Sequence, residues 1–184
     1  AIGEPVRASG IGRVVATRAE GLPLGHRVYG LPGWQRYGVV EEGPLATDLG
    51  PEVDAPALLA VLGATGLTAY VGIVDVGRVE EGDTVVVSAA AGATGSIAAQ
   101  IAKLRGARVV GICGGPEKVR WLLEDLGLDA AIDRRSEDVH ARLGELCPEG
   151  VDVYFDNVGG PILDAVLDHL ALRARVVLCG AISV

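Results

Sequence analysis

The sequence predicts an α/β protein, a mostly parallel and doubly wound sheet covered by helices, preceded by a shorter β-rich stretch. Three observations carry this expectation. From Thr84 onward, β-branched runs alternate with amphipathic helical runs, and parallel neighbours need such crossovers along a right-handed path. A turn of small residues stands at the first of these strand-to-helix junctions. Before about residue 80 the pattern differs: short extended candidates are broken by proline, glycine and acidic residues. With 184 residues, 49% of them hydrophobic, the chain has apolar material for a sizeable core.

Taken in order, residues 12–17, 27–29 and 37–40 read as strands. Residues 55–74 read as a helix, a turn and a second short helix, because Gly63, Gly66 and Gly72 interrupt a simple period. Gly82 and Asp83 supply a turn before a buried strand at 84–88. A helix at 94–105 brings Ile97, Ile101 and Leu104 near one face, and a strand follows at 108–112. The next helix, 116–126, aligns Val119, Leu122, Leu123 and Leu126. Pro116 suits its first turn, and Gly127 can take the positive φ common at a helix end. A strand at 130–132 precedes a helix at 137–146 with Ser136 as N-cap and Val139, Leu143 and Leu146 on its apolar side. A strand at 151–155, a helix at 161–170 and a strand at 175–179 complete the alternation. The chain thus divides into residues 1–59, a helical connection over 60–80, and residues 81–184.

Composition narrows the function classes. Sixteen basic residues against 24 acidic ones give a formal charge of −8, which disfavours nucleic acid as a partner. Cys113, Cys147 and Cys179 are odd in number and far apart, unlike a disulfide scaffold. No signal segment and no apolar run of membrane-spanning length is visible, so a cytoplasmic location is expected. His26, His140 and His169 are dispersed, and no Cys/His cluster suggests a metal.

Chemistry concentrates at the strand ends. Ala89-Ala90-Ala91-Gly92-Ala93-Thr94-Gly95 has the AxxGxxG spacing of a dinucleotide fingerprint, alanine replacing the first glycine. Small residues let backbone approach a pyrophosphate, and free N–H groups at the helix start attract the anion. A compact turn that needs small residues only for packing is the alternative. After the second strand, Ile112-Cys113-Gly114-Gly115-Pro116-Glu117-Lys118 lacks the strand-tip acid that binds ribose hydroxyls in NAD sites. Gly114 and Gly115 leave room for a 2′-phosphate, with Lys118 to meet it and Arg134 as a more distant candidate, so NADP is favoured over NAD. Asp156-Asn157-Val158-Gly159-Gly160 and Cys179-Gly180-Ala181-Ile182-Ser183 follow two later strands. Asn157 can bond ribose or nicotinamide, or merely cap a loop; Gly180 and Ala181 can offer backbone groups. Cys179 reads as a packing residue at that tip rather than a nucleophile.

These passages, with Gly10-Ile11-Gly12-Arg13-Val14-Val15, Gly33-Trp34-Gln35-Arg36-Tyr37 and Gly66-Leu67-Thr68-Ala69-Tyr70, resemble the medium-chain dehydrogenase/reductase superfamily. The resemblance is to its zinc-independent, NADP-dependent alkenal/one oxidoreductases, which include prostaglandin and leukotriene reductases and double-bond reductases. It implies a partial GroES-like catalytic lobe over residues 1–59 and a Rossmann-type cofactor lobe over 81–184, usually in a homodimer. It also implies hydride transfer from NADPH to the β-carbon of an α,β-unsaturated carbonyl substrate, with protonation at the α-carbon. By resemblance Thr68 lies near the nicotinamide, the turn of Ala91, Gly92, Ala93, Thr94 and Gly95 at the pyrophosphate, and Lys118 at the 2′-phosphate. Asn157 lies beside the cofactor, and the passage from Cys179 through Gly180 and Ala181 to Ser183 closes its site. The family's substrate-polarising tyrosine belongs to a continuation past Ile182, where the cofactor lobe gains another strand and returns to the catalytic lobe. Within this chain Tyr37 is a weak substrate-pocket candidate, and Tyr70 reads rather as a structural aromatic. Relatives commonly have tyrosine where Arg134 stands and aspartate where His26 stands. A zinc-independent quinone reductase and a non-enzymatic nucleotide-binding protein are the alternative readings.

Overall fold

The computed structural model describes residues 2–182 and divides into two units, one ending at Gly63 and the other beginning at Ala64.

In the first unit, β1 (Gly10–Arg13), β2 (Arg27–Gly30) and β3 (Thr47–Gly50) form an antiparallel sheet in that order. The strand expected over 12–17 begins earlier and stops at Arg13. Its pairing is carried one step further by Val14, which exchanges backbone bonds with His26 and Gly25 at 2.9 Å. Residues 37–40 are not a strand: Tyr37 and Val39 stand 72% and 90% exposed. The third strand is instead Thr-Asp-Leu-Gly at 47–50, a sequence of low β-propensity held by partners rather than composition. His26 Nδ1 lies 2.9 Å from Asp48 Oδ2, and Asp48 also accepts from Gly50 N–H. The Gly50 bond and then His26 hold the Asp48 carboxyl below its usual range. Helix α1 (Ala55–Ala60) starts at Asp54, whose carboxylate accepts from Ala57 N–H at 3.1 Å.

The second unit opens with α2 (Ala64–Tyr70), which runs into a π-helix at Val71–Val76. Five parallel strands follow: β4 (Thr84–Ser88), β5 (Arg108–Cys113), β6 (Ala130–Asp133), β7 (Val151–Asp156) and β8 (Leu170–Leu178), in spatial order β6-β5-β4-β7-β8. The β4–β7 neighbourhood is where the strand order reverses, the usual place for a ligand crevice. Between the strands run α3 (Ala93–Leu104), α4 (Pro116–Glu124), α5 (Val139–Leu146) and α6 (Gly160–Leu167). The alternation is therefore doubly wound as expected. Val85, Val87, Val109, Val153 and Phe155 face a core shared with the π-helix, α3 and α4. Val86, Val110, Ile112, Ile132 and Tyr154 face a core shared with α5 and α6. A fully buried valine, isoleucine or leucine contributes roughly 2 kcal/mol relative to exposure, so this two-sided strand set is the main source of order.

Several expectations are corrected. On α3 the buried side chains are Ala98, Ala99 and Ala102, with Ile97 and Ile101 partly buried. Leu104 is 86% exposed because the helix ends there and lies close to the sheet through alanines. On α4, Leu122 is buried but Leu123 faces out. Helix α5 begins at Val139 rather than 137, because Asp138 caps it through Ala141 N–H, and Ser136 is diverted to Asp133. Strand β8 starts at Leu170, directly after the end of α6 at Leu167. Gly127 does adopt positive φ, +64°.

Candidate functional site

The tip of β4 passes into α3 through a turn built from backbone. Ala89 takes φ +47°, a region costing an L-residue about 1–2 kcal/mol, and its carbonyl accepts from Gly92 N–H at 2.8 Å. Gly92 caps α3 without a side-chain bond. The first i→i−4 bond here is Ser96 N–H to Gly92 O, so the N–H groups of Ala93, Thr94 and Gly95 precede any intrahelical acceptor. Gly92 and Ala93 are exposed and Thr94 half-buried. A Cβ on Gly95 would stand 2.4 Å from Ala89 O, and one on Gly92 3.1 Å from the same atom. A turn this closely wound, with an open helix start, fits a pyrophosphate. Ala91 is half-buried against the α3-side core.

At β7 a buried carboxylate organises the neighbouring tip. Asp156, 1% exposed, accepts from Ser88 Oγ (3.0 Å), Tyr154 OH (2.7 Å), Val158 N–H (2.9 Å) and Gly159 N–H (3.0 Å). Burial raises the carboxyl's pKa, but the Gly159 and Val158 N–H groups and the two hydroxyls outweigh it and leave it below the usual range. Burial pushes the Tyr154 phenol far up, so it remains a donor. Asn157 is tied to the same strand tip: its N–H donates to Ser88 Oγ at 2.8 Å and its Nδ2 to Ser88 O at 2.7 Å. Sequence reasoning singled out Asn157 but passed over Ser88, Tyr154 and Asp156. The buried serine and aspartate ending two apolar strands were the available signal.

Cys179 N–H and Gly180 N–H both donate to Asp156 O, and a Cβ on Gly180 would stand 3.0 Å from Asn157 O. The passages at 156–160 and 179–181 are thus brought together, with Gly180 and Ala181 exposed. Ser183 lies outside the described residues. Burial, then the Asp156 charge, raises the Cys179 thiol, which keeps it protonated. Cys179 and Thr68 line one cleft of about 360 Å³ with Leu67, Val71, Phe155 and Val177. Thr68 Oγ donates back to Ala64 O at 2.7 Å. Gly72 lets the π-helix approach Phe155, since a Cβ there would stand 2.4 Å from the ring.

The β5 tip is different in kind. Gly115 takes φ +102° and caps α4, with Lys118 exposed one turn on. Asp133, 7% exposed at the end of β6, accepts from Gly115 N–H (2.7 Å), Arg135 N–H (3.0 Å) and Ser136 Oγ (2.9 Å). These bonds, the Gly115 one foremost, lower its pKa. A Cβ on Gly114 would meet Arg135 Nε at 3.1 Å and Arg134 Nε at 3.6 Å, and one on Gly115 would meet Arg135 Nη1 at 3.7 Å, so both guanidinium groups lie over Gly114 and that of Arg135 reaches Gly115. Arg134 was anticipated. Arg135 was not, although the adjacent basic pair is visible in the sequence. Tyr37 sits exposed in the first unit, and none of the described contacts gives it a role. Among the described residues, no group of three or more His, Cys, Asp or Glu side chains is placed to hold a metal ion, and no helix is long and apolar enough to cross a membrane.

Comparison with known proteins identifies the family. The family model for zinc-binding dehydrogenases matches residues 93–184. The chain is 49% identical to the putative NADP-dependent oxidoreductase YfmJ of Bacillus subtilis over 96% of its own length and 52% of that protein. It is 42% identical to the NADPH-dependent curcumin reductase of Escherichia coli over 94% of the chain and 50% of the relative. It is 37% identical to the NADP(+)-dependent 2-alkenal reductase of Nicotiana tabacum, covering 98% and 53%. The crystal structure of CurA from Vibrio vulnificus in complex with NADPH superposes with a TM-score of 0.91 at 41% identity, over 96% of this chain and 52% of that one. The chain thus spans about half the length of the relatives it matches. It belongs to the zinc-binding dehydrogenase family and, within the medium-chain dehydrogenase/reductase superfamily, to the zinc-independent NADP-dependent reductases.

Proposed function

We propose that the protein is an NADPH-dependent reductase of α,β-unsaturated aldehydes or ketones, of which residues 81–184 hold the cofactor and residues 1–59 contribute to the substrate side, joined through 60–80. The observation that carries the cofactor assignment is the pairing of a side-chain-poor turn at β4 with a basic, glycine-opened turn at β5. The first suits a pyrophosphate, and the second a 2′-phosphate. The substrate class draws on the likeness to a relative named for 2-alkenal reduction.

Bound NADPH would supply the hydride for the β-carbon. The chain's own residues bind and orient. The N–H groups of Ala93, Thr94 and Gly95 take the pyrophosphate, Lys118 and Arg134 the 2′-phosphate, and the apolar cleft of Thr68 and Cys179 receives the flat nicotinamide. Asn157, Gly180, Ala181 and Ser183 contact the cofactor from the two passages that follow β7 and β8. Fixing these groups before the substrate arrives lowers the orientational part of the barrier. The working form is a homodimer acting on a small molecule in the cytoplasm.

The test uses full-length protein with NADPH and a simple enone, following NADPH oxidation and identifying the product. A saturated ketone supports the assignment. Turnover confined to quinones assigns the rival quinone reductase, and binding of NADPH without turnover of either class makes the protein a nucleotide-binding module.

A further inference from the structure

The two arginines over Gly114 belong to one short turn, and that turn is fastened to the β5 tip by a carboxylate and a backbone bond. Asp133 Oδ1 bridges Gly115 N–H and Arg135 N–H, and Oδ2 takes the Ser136 hydroxyl. Arg134 N–H donates to Cys113 O at 3.0 Å, which ties the same turn to the last residue of β5. Asp133 N–H in turn donates to Glu137 Oε2 at 2.7 Å, and Glu137 Oε1 lies 2.8 Å from Arg142 Nε. Both carboxylates beside the turn are therefore occupied by local donors. Their repulsion for an incoming phosphate is reduced, while both guanidinium groups stay exposed at the surface. The glycine pair is what admits them: a side chain at 114 would occupy the space where Arg135 Nε now lies 3.1 Å from the Cβ position.

We propose that Arg135, positioned by Asp133 over Gly114 and Gly115, is a specificity-determining residue for the 2′-phosphate of the cofactor. Preference for the phosphorylated nucleotide is then set by the β6–α5 turn as well as by Lys118. The inference rests on the NADP reading above. Arg135 supplies a planar fork of donors suited to a phosphate, whereas Lys118 supplies a point charge from the first turn of α4. Asp133 acts through Arg135 and Gly115 and is a positioning residue.

The experiment measures equilibrium binding to the full-length protein by calorimetry, with adenosine 2′,5′-bisphosphate and AMP as probes, and with NADPH and NADH by fluorescence. Arg135→Ala should weaken the bisphosphate and NADPH by about tenfold, the scale of one hydrogen bond to a charged group, and leave AMP and NADH unchanged. Arg135→Lys should recover part of the loss. Asp133→Asn should reduce the bisphosphate-to-AMP preference in the parent, and do so far less in the Arg135→Ala background. Equal weakening of both probes by Arg135→Ala, or no weakening of either, overturns the inference while a parent preference for NADPH leaves the NADP reading intact. A parent protein that binds the two probes equally overturns both.

Discussion

Two carboxylates stand on either side of the sheet centre and do related work by different means. Asp156 at the tip of β7 grips the tip of β4 through Ser88, and Asp133 at the tip of β6 grips the turn after β5 through Gly115. The first is enclosed by neutral donors, two hydroxyls and two N–H groups, and its neighbours are core residues. The second is flanked by arginines at a surface turn. The same chemical device therefore serves rigidity at one tip and charge display at the other. What separates them is what surrounds the carboxylate: Ser88, Tyr154 and Gly159 are buried around Asp156, whereas Arg135 beside Asp133 is exposed and keeps its guanidinium for solvent or ligand.

By that contrast, Asp156→Ala is the most damaging change. It strands several buried donors and should cost about 3 kcal/mol or more in urea unfolding, at 1–3 kcal/mol for each unsatisfied group. A loss no greater than that of Asp133→Ala would erase the distinction. Gly95→Val comes next, because a Cβ would stand 2.4 Å from Ala89 O and overpacking of this kind costs about 1–3 kcal/mol; NADPH affinity should fall with stability, and a variant that unfolds normally but binds normally would contradict the close-wound turn. Tyr154→Phe removes one of the donors on Asp156 and should cost about 1 kcal/mol, with cofactor preference unmoved. The smallest effect concerns pH. The folded Asp156 carboxyl titrates below its unfolded value of about 3.9, so its contribution is complete above that value and disappears as pH falls through the folded pKa. Asp156→Asn should flatten that acid limb of the stability curve, and an unchanged limb would place the titration elsewhere.

The legible part of the molecule was the part whose pattern is local. The β-branched runs at 84–88, 108–112 and 151–155 and the small turn at 89–95 announce themselves, because each strand or turn is specified by its own side chains. Strand β3 was illegible because Thr47–Gly50 is a strand only by virtue of β2 beside it and the Asp48–His26 contact. Leu104 misled for a related reason: alanines bring α3 close to the sheet, and the larger residue at its end is left outside. Among the candidate site residues, Gly92, Gly95, Lys118 and Asn157 stand out by their place at the strand ends. Arg135 and Asp156 do not, since Arg135 is set apart by the approach of its side chain to Gly114 on a neighbouring strand tip, and Asp156 by its bond from Ser88 on another strand.

The π-helix at Val71–Val76 has a consequence for length. A π-turn holds one residue more than an α-turn, and this one lies between Thr68 and the start of the sheet. Deleting a single residue here would let the turn become regular α-helix. The widened turn would be lost at the place where Gly72 approaches Phe155, on the same cleft that Leu67 and Thr68 line. The segment is therefore set by count as well as by composition: the added residue of the turn, and not Gly72 alone, shapes the wall beside Phe155.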